Sequence, residues 1–190
     1  MDKVEKTFDS WAKSGRAELM EEEHYKTVSR FLDKIQFKNE FTFLDIGCGN
    51  GWVIRKIANL PNCKKAVGID KSSNMIKAAS SKKQSRKEVF YTADIETWNY
   101  KGRFDYIFSM ESMYYVKDLS HSLSKIYKLL KQDGEFFCGT DYYKDNKSTA
   151  HWSKMLKLDL HLLSKSEWKK ILESAGFKTV SRRVKDRQSK

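Results

Sequence analysis

Leu44-Asp45-Ile46-Gly47-Cys48-Gly49-Asn50-Gly51, LDIGCGNG, is the tail of an apolar run that breaks into glycines at alternate positions. It reads as a strand entering a tight turn, with a helix starting just after it. Glycine suits such a turn because the backbone takes angles that side chains oppose, and because a side chain would hold a ligand away. A dinucleotide fingerprint would need glycine at position 52, which is Trp52, and a phosphate loop would need GKS or GKT, which the chain lacks.

Beyond the turn, the next apolar run, KAVGID, ends in Asp70, 19 residues past Gly51. A carboxylate at that strand end accepts hydrogen bonds from both hydroxyls of a ribose; alternatively it caps the helix that starts near Ser72. Together, glycine turn and acidic strand end point to a nucleoside ligand. The pattern then repeats: FTFLDIG, KAVGID, EVFYTAD, FDYIFSM and EFFCGTDYY are short runs rich in β-branched and aromatic residues, separated by helical stretches 52–59, 72–81 and 119–130. Near-continuous apolar strands alternating with helices predict an α/β, Rossmann-like, doubly wound and mostly parallel sheet with helices on both faces. Upstream, Val4, Phe8 and Trp11, then Met20, His24, Val28, Phe31, Leu32 and Ile35, fall at helical spacing and predict two helices over residues 1–40. Downstream, Ser164 and Glu167 form a capping-box pattern ahead of an apolar face that Gly176 ends, and residues 177–184 read as a further strand. The least patterned segment, 144–157, is the expected lid.

LDIGCGNG, VGIDKSSNMIKAA, YTADIETW, FDYIFSMESMYYV and LLKQDGEFFCGTDYY, in that order, resemble the successive motifs of class I S-adenosylmethionine (SAM)-dependent methyltransferases over about residues 41–143. The resemblance implies SAM as cofactor and S-adenosylhomocysteine (SAH) as product. Carried over position by position, it implies that Asp45, Gly47, Gly49 and Gly51 line the methionyl part and that Asp70 binds the ribose. Lys71 and Met75 would flank the adenosine, with Asp94 on the adenine amino group, or capping a helix, and Ile95 on the ring. Ser109 and Met110 would lie beneath the sulfonium. Glu111, Tyr114 and His151 are the candidates for a catalytic role; His24 is a further histidine for which a structural role is the better expectation. Trp11 and Arg16, in FDSWA and GR, resemble pieces by which amino-terminal lids of related small enzymes close on the cofactor carboxylate. The family usually ends in a seventh, antiparallel strand. Here that strand is expected to be missing or truncated, leaving a sheet edge for a partner, a second copy or the basic tail.

The resemblance leaves the acceptor open. The NPPY-like turn of enzymes acting on exocyclic base amines is replaced by SMES, and none of the cysteines has the Pro-Cys context of cytosine carbon methylation. The expectation is O-, N- or S-methylation of a small molecule, with an RNA methyltransferase and a non-catalytic SAM-binding module as alternatives. Composition bounds these choices. At 190 residues, 39% hydrophobic and 13% aromatic, the chain suits one globular domain: a helical cap over 1–40, a cofactor core over 41–143, and lid, last helix and strand six over 144–190. Three cysteines without a CxxC pair fit a reducing compartment and argue against structural zinc, so no metal is expected. No apolar run approaches the roughly 18 residues of a membrane span, and MDKVEKTFDSWAKSG lacks the apolar core of a secretory signal, so a cytoplasmic protein without membrane attachment is expected. The net charge of +12, concentrated in 77–87 and after Lys178, reads as solvated lysine-rich surface, with nucleic acid as the alternative partner.

Overall fold

A computed structural model describes residues 2–178. Five strands, β1 (Phe41–Ile46), β2 (Cys63–Asp70), β3 (Glu88–Thr92), β4 (Phe104–Met110) and β5 (Leu130–Gly139), form one sheet in the order β3-β2-β1-β4-β5, every neighbouring pair parallel. The helices are α1 (Lys3–Lys13), α2 (Arg16–Leu32), α3 (Trp52–Ala58), α4 (Ser73–Ser81), α5 (Leu119–Leu129), α6 (Trp152–Leu156) and α7 (Lys165–Ser174). Their starts are set locally. Asp2, Ser72 and Asp118 each accept a backbone N–H from the first turn of α1, α4 and α5, and Ser164 and Glu167 form both bonds of the capping box at α7.

Side-chain alternation divides the core into two layers. Phe41, Phe43, Ala66, Tyr106 and Phe108 meet α2, α3 and α4 through Val28, Leu32, Val53, Ile54, Ile57 and Ile76. Leu44, Ile46, Val67, Ile69 and Ile107 meet α5 and α7 through Leu123, Ile126 and Trp168 on the other face. The doubly wound sheet expected from the sequence is therefore present. Each buried aliphatic or aromatic side chain contributes about 1.5–3 kcal/mol of transfer free energy, so the two layers hold the sheet firmly.

One boundary differs from expectation. β5 starts at Leu130, which already pairs with Phe104, rather than near Glu135; the intervening residues bulge out, with Asp133 at φ +56°, before Glu135 takes up register with Tyr106. The strand also ends at Gly139, so residues 140–143 belong to a loop. Phe177 and Lys178 are not in a strand, and the remainder of the run expected over 177–184, like any later strand, lies outside the described residues. Cys48 and Cys63 are buried and Cys138 partly so, all as free thiols. Burial pushes Cys63 up to about 11, Cys138 up to about 12 and Cys48 well above its ordinary value. Among the described residues no helix is long and apolar enough to cross a membrane.

Candidate active site

The strand order reverses between β1 and β4, where helices leave to opposite faces and the carboxyl ends of the strands open a crevice. A cavity of about 230 Å³ lies there, bounded by the ends of β1, β2 and β4, the β3 exit, α1, α2 and α6.

The glycine turn forms one wall. Gly47 (φ +74°) donates its N–H to the Ile69 carbonyl at 2.8 Å, and a Cβ there would lie 2.4 Å from the Ser112 Cβ. Gly49 (φ +52°) donates to Asp70 Oδ2 at 3.0 Å, and a Cβ on it would meet nothing within 4 Å. Asp70 also accepts the Ser72 N–H at 2.8 Å, so it serves the start of α4 as well as the cavity wall. Burial outweighs both bonds and pushes its carboxyl up to about 6.

Lys71, Met75, Asp94, Ile95, Met110, Trp11 and Arg16 line the same cavity. Lys71 bridges Asp2 at 2.6 Å and Asp94 at 3.0 Å. Burial works against its charge, but the two carboxylates prevail and its pKa is raised. Asp94 spends its other oxygen on the Glu96 N–H at 3.0 Å, closing the turn after β3. The Arg16 guanidinium sits 4.6 Å from the Trp11 ring centroid.

Three residues expected to touch the cofactor stand behind the wall instead. Asp45 is buried, and burial, then the charge of Asp70, drives its carboxyl well above the usual range. Gly51 begins α3, and a Cβ there would run into Phe90 at 2.7 Å. Ser109 is fully buried and hydrogen-bonded to Ser112 Oγ at 2.6 Å, while Ser112 donates to the Ile46 carbonyl at 2.8 Å. The two serines clasp the ends of β1 and β4. Ser112, absent from the sequence expectations, lines the cavity because the Gly47 backbone leaves room for it.

Glu111 and Tyr114 close the far end. Glu111 sits at φ +52°, a strained conformation for a side-chain-bearing residue, fixed by its N–H donating to the Gly139 carbonyl at 2.9 Å. Its carboxyl accepts the Asp141 N–H and, at 2.9 Å, the Tyr114 hydroxyl. Burial and then the Asp141 charge push it up to about 8; burial drives the Tyr114 phenol far above its ordinary value. A ring nitrogen of His24 and carboxylate oxygens of Glu111 and Asp141 all lie within 4.8 Å of one another. His24 bonds the Met20 carbonyl through Nδ1 at 2.8 Å, which in the neutral ring leaves Nε2 as the acceptor. His151 does not join them: it is exposed at the start of the five-residue α6, and that helix instead turns Trp152, Met155 and Leu156 toward the cavity. The sequence pointed to His151 and gave His24 a structural role; the fold instead brings His24, from α2, beside Glu111.

Comparison with known proteins gives this arrangement a family. Residues 16–182 match the family described as "Methyltransferase domain". The chain is 27% identical over 183 residues to juvenile hormone acid O-methyltransferase of Bombyx mori, covering 85% of this chain and 66% of that protein. It is 29% identical over 163 residues to phosphoethanolamine N-methyltransferase 1 of Triticum aestivum, covering 82% and 32% respectively. Among solved structures, the complex between the Haloferax volcanii Trm112 methyltransferase activator and a methyltransferase matches with a TM-score of 0.85 at 28% identity, over 89% of this chain and 75% of that one. Haemonchus contortus phosphoethanolamine N-methyltransferase 2, bound to phosphomonomethylethanolamine and SAH, shares the fold with a TM-score of 0.68 at 22% identity, over 81% and 37%. The chain thus spans between about a third and two thirds of the two relatives' lengths. With the family match covering most of its length and a glycine turn, Asp70 and Asp94 set around one crevice, the chain belongs to the class I SAM-dependent methyltransferases.

Proposed function

We propose that the chain transfers the methyl group of SAM to a small-molecule acceptor within the cavity that joins Asp70 to Glu111. That continuity carries the proposal: one cavity offers a nucleoside wall at its β2–β3 end and a titratable, aromatic-lined pocket at its β4 end. The residues fit the cofactor. Gly49 leaves open space where any other residue would place a side chain, and Asp70 keeps acceptor capacity beyond its two backbone bonds. In our reading, Asp70 takes the ribose hydroxyls, Asp94 and Ile95 border the adenine, Gly47 and Gly49 border the methionyl chain, and Arg16 holds the carboxylate. Residues 1–40 and 144–178 form the cap and lid of a single domain.

When bound, SAM supplies an activated methyl group on a sulfonium, so the chemistry asked of the protein is alignment and exclusion of water. Trp11, Trp152, Met155 and Leu156 give the cavity apolar walls that exclude water. The Ser109–Ser112–Ile46 chain fixes the floor at the ends of β1 and β4. Glu111 and His24 are placed to hold or take a proton from the acceptor. A small acceptor is favoured over RNA because the basic run 77–87 is not part of the cavity wall; Lys82 pairs with Glu18 at 2.8 Å and Lys87 donates to the Leu60 carbonyl at 3.0 Å.

Calorimetric titration with SAH tests the cofactor site. Asp70→Ala is expected to weaken binding by about 1–3 kcal/mol through lost hydrogen bonds to a charged acceptor. Because the ionised carboxylate is the form that accepts from the ribose, affinity in the parent protein should fall as pH drops through about 6. An unchanged affinity in the variant would remove the ribose from Asp70.

A further inference from the structure

The charge at the acceptor end is opposite to that of the whole molecule. The chain carries +12, yet Glu111 and His24 line this end of the cavity and the Asp141 carboxylate stands against both. Of the two lysine or arginine side chains on the cavity wall, Lys71 is paired with Asp2 and Asp94, and Arg16, stacked on Trp11, is the one assigned above to the cofactor carboxylate. Aromatic rings line the same cavity, and Tyr114 donates its hydroxyl to Glu111. Tyr114 packs on Tyr115 (4.4 Å between centroids) and Tyr142 (5.1 Å), Tyr142 stacks with Trp152 (6.0 Å), and Phe8 meets Tyr115 edge-on (5.1 Å).

Carboxylates that share a cavity wall with aromatic rings attract a cation through charge and ring quadrupole and repel an anion. On the proposed methyl-transfer site, we infer that the acceptor is an amine, entering as its ammonium form and docking between Glu111, Asp141 and His24. An acceptor carboxylate or phosphate would be set against Glu111 and Asp141, with Arg16 given over to the cofactor carboxylate. Glu111 behaves as a carboxylate short of a counter-cation: burial and Asp141 raise it, and an arriving ammonium would offset both. A divalent metal is the poorer occupant, because both Glu111 oxygens already accept protein donors and the surroundings are rings rather than oxygen ligands.

The chemistry balances. The ammonium gives one proton to the Glu111–His24 pair, freeing the nitrogen lone pair. That pair forms the N–C bond to the methyl group as the C–S bond breaks, its electrons remaining on sulfur to give SAH. The product leaves as the methylated ammonium.

The experiment uses the whole chain saturated with SAH, with SAH binding established first by calorimetry. Tryptophan fluorescence then follows titration with 2-phenylethylamine and, separately, phenylacetate. The amine is expected to bind at least about tenfold more tightly than the carboxylate. The double substitution Glu111→Gln and Asp141→Asn should bring that ratio close to one while the folded far-ultraviolet spectrum and SAH binding persist. If SAH does not bind, the cofactor assignment falls and the amine proposal with it. If SAH binds, the amine proposal alone is overturned by equal or tighter binding of phenylacetate, by a preference that survives the double substitution, by binding of neither probe at about 10 mM, or by displacement of the amine with manganese chloride.

Discussion

Gly47 and Gly49 share a left-handed backbone but face different neighbours, and that difference separates folding from binding. Gly47→Ala would drive a Cβ to 2.4 Å from Ser112 Cβ, so backbone strain adds to overpacking and a loss of about 2–4 kcal/mol is expected in urea unfolding. Gly49→Ala meets open space; it should cost only about 1–2 kcal/mol of stability, yet sharply weaken SAH binding in calorimetry. Parent-like SAH affinity in Gly49→Ala would mean that the cofactor does not run along this face. Much of the cavity wall was legible in the sequence because it is written in short stretches: the glycine turn, Asp70 and Asp94 are each positioned by the strand they end. Asp45, Gly51 and Ser109 sit in the same motifs but behind the wall, since strand alternation and the start of α3 turn them inward. Ser112 and His24 were harder to assign because their places depend on contacts across long sequence separations, Ser112 to Ile46 and His24 to Glu111 and Asp141.

At the scale of elements, α1 is weakly committed to the core. None of its residues is buried. It is tied down by the Asp2–Lys71 pair, by Asp9 against Ser72 and Asn74, and by Phe8 on Tyr115. Partly exposed polar ties of this kind contribute about 0–1 kcal/mol each, so removing residues 1–14 should lower global stability by only about 1–2 kcal/mol. SAH affinity should nevertheless fall, because Val4, Phe8 and Trp11 leave the cavity wall with the helix. Thermal melting followed by calorimetry distinguishes this lid from a structural helix, whose removal would unfold the domain. The helices were readable from spacing and caps, Ser164 and Glu167 most directly. The start of β5 was not, because the bulge before Glu135 is set by pairing with β4 and not by the local pattern.

At the scale of the molecule, the doubly wound sheet places its crevice where the winding reverses, with one apolar layer packed on each of its faces. The overall α/β plan was visible in the alternation of runs, and the basic run 77–87, read from the sequence as solvated surface, takes no part in the cavity wall.

The two buried thiols, Cys48 and Cys63, turn the same sheet into its own clock. Cys48 lies in the turn after β1 and Cys63 opens β2, and burial keeps each in its unreactive protonated form. Alkylation by iodoacetamide therefore waits for the sheet to open. If the sheet opens as one unit, mass spectrometry should find both cysteines labelled at a common rate that saturating SAH slows in equal proportion; early labelling of Cys63 alone would reveal local opening at the start of β2.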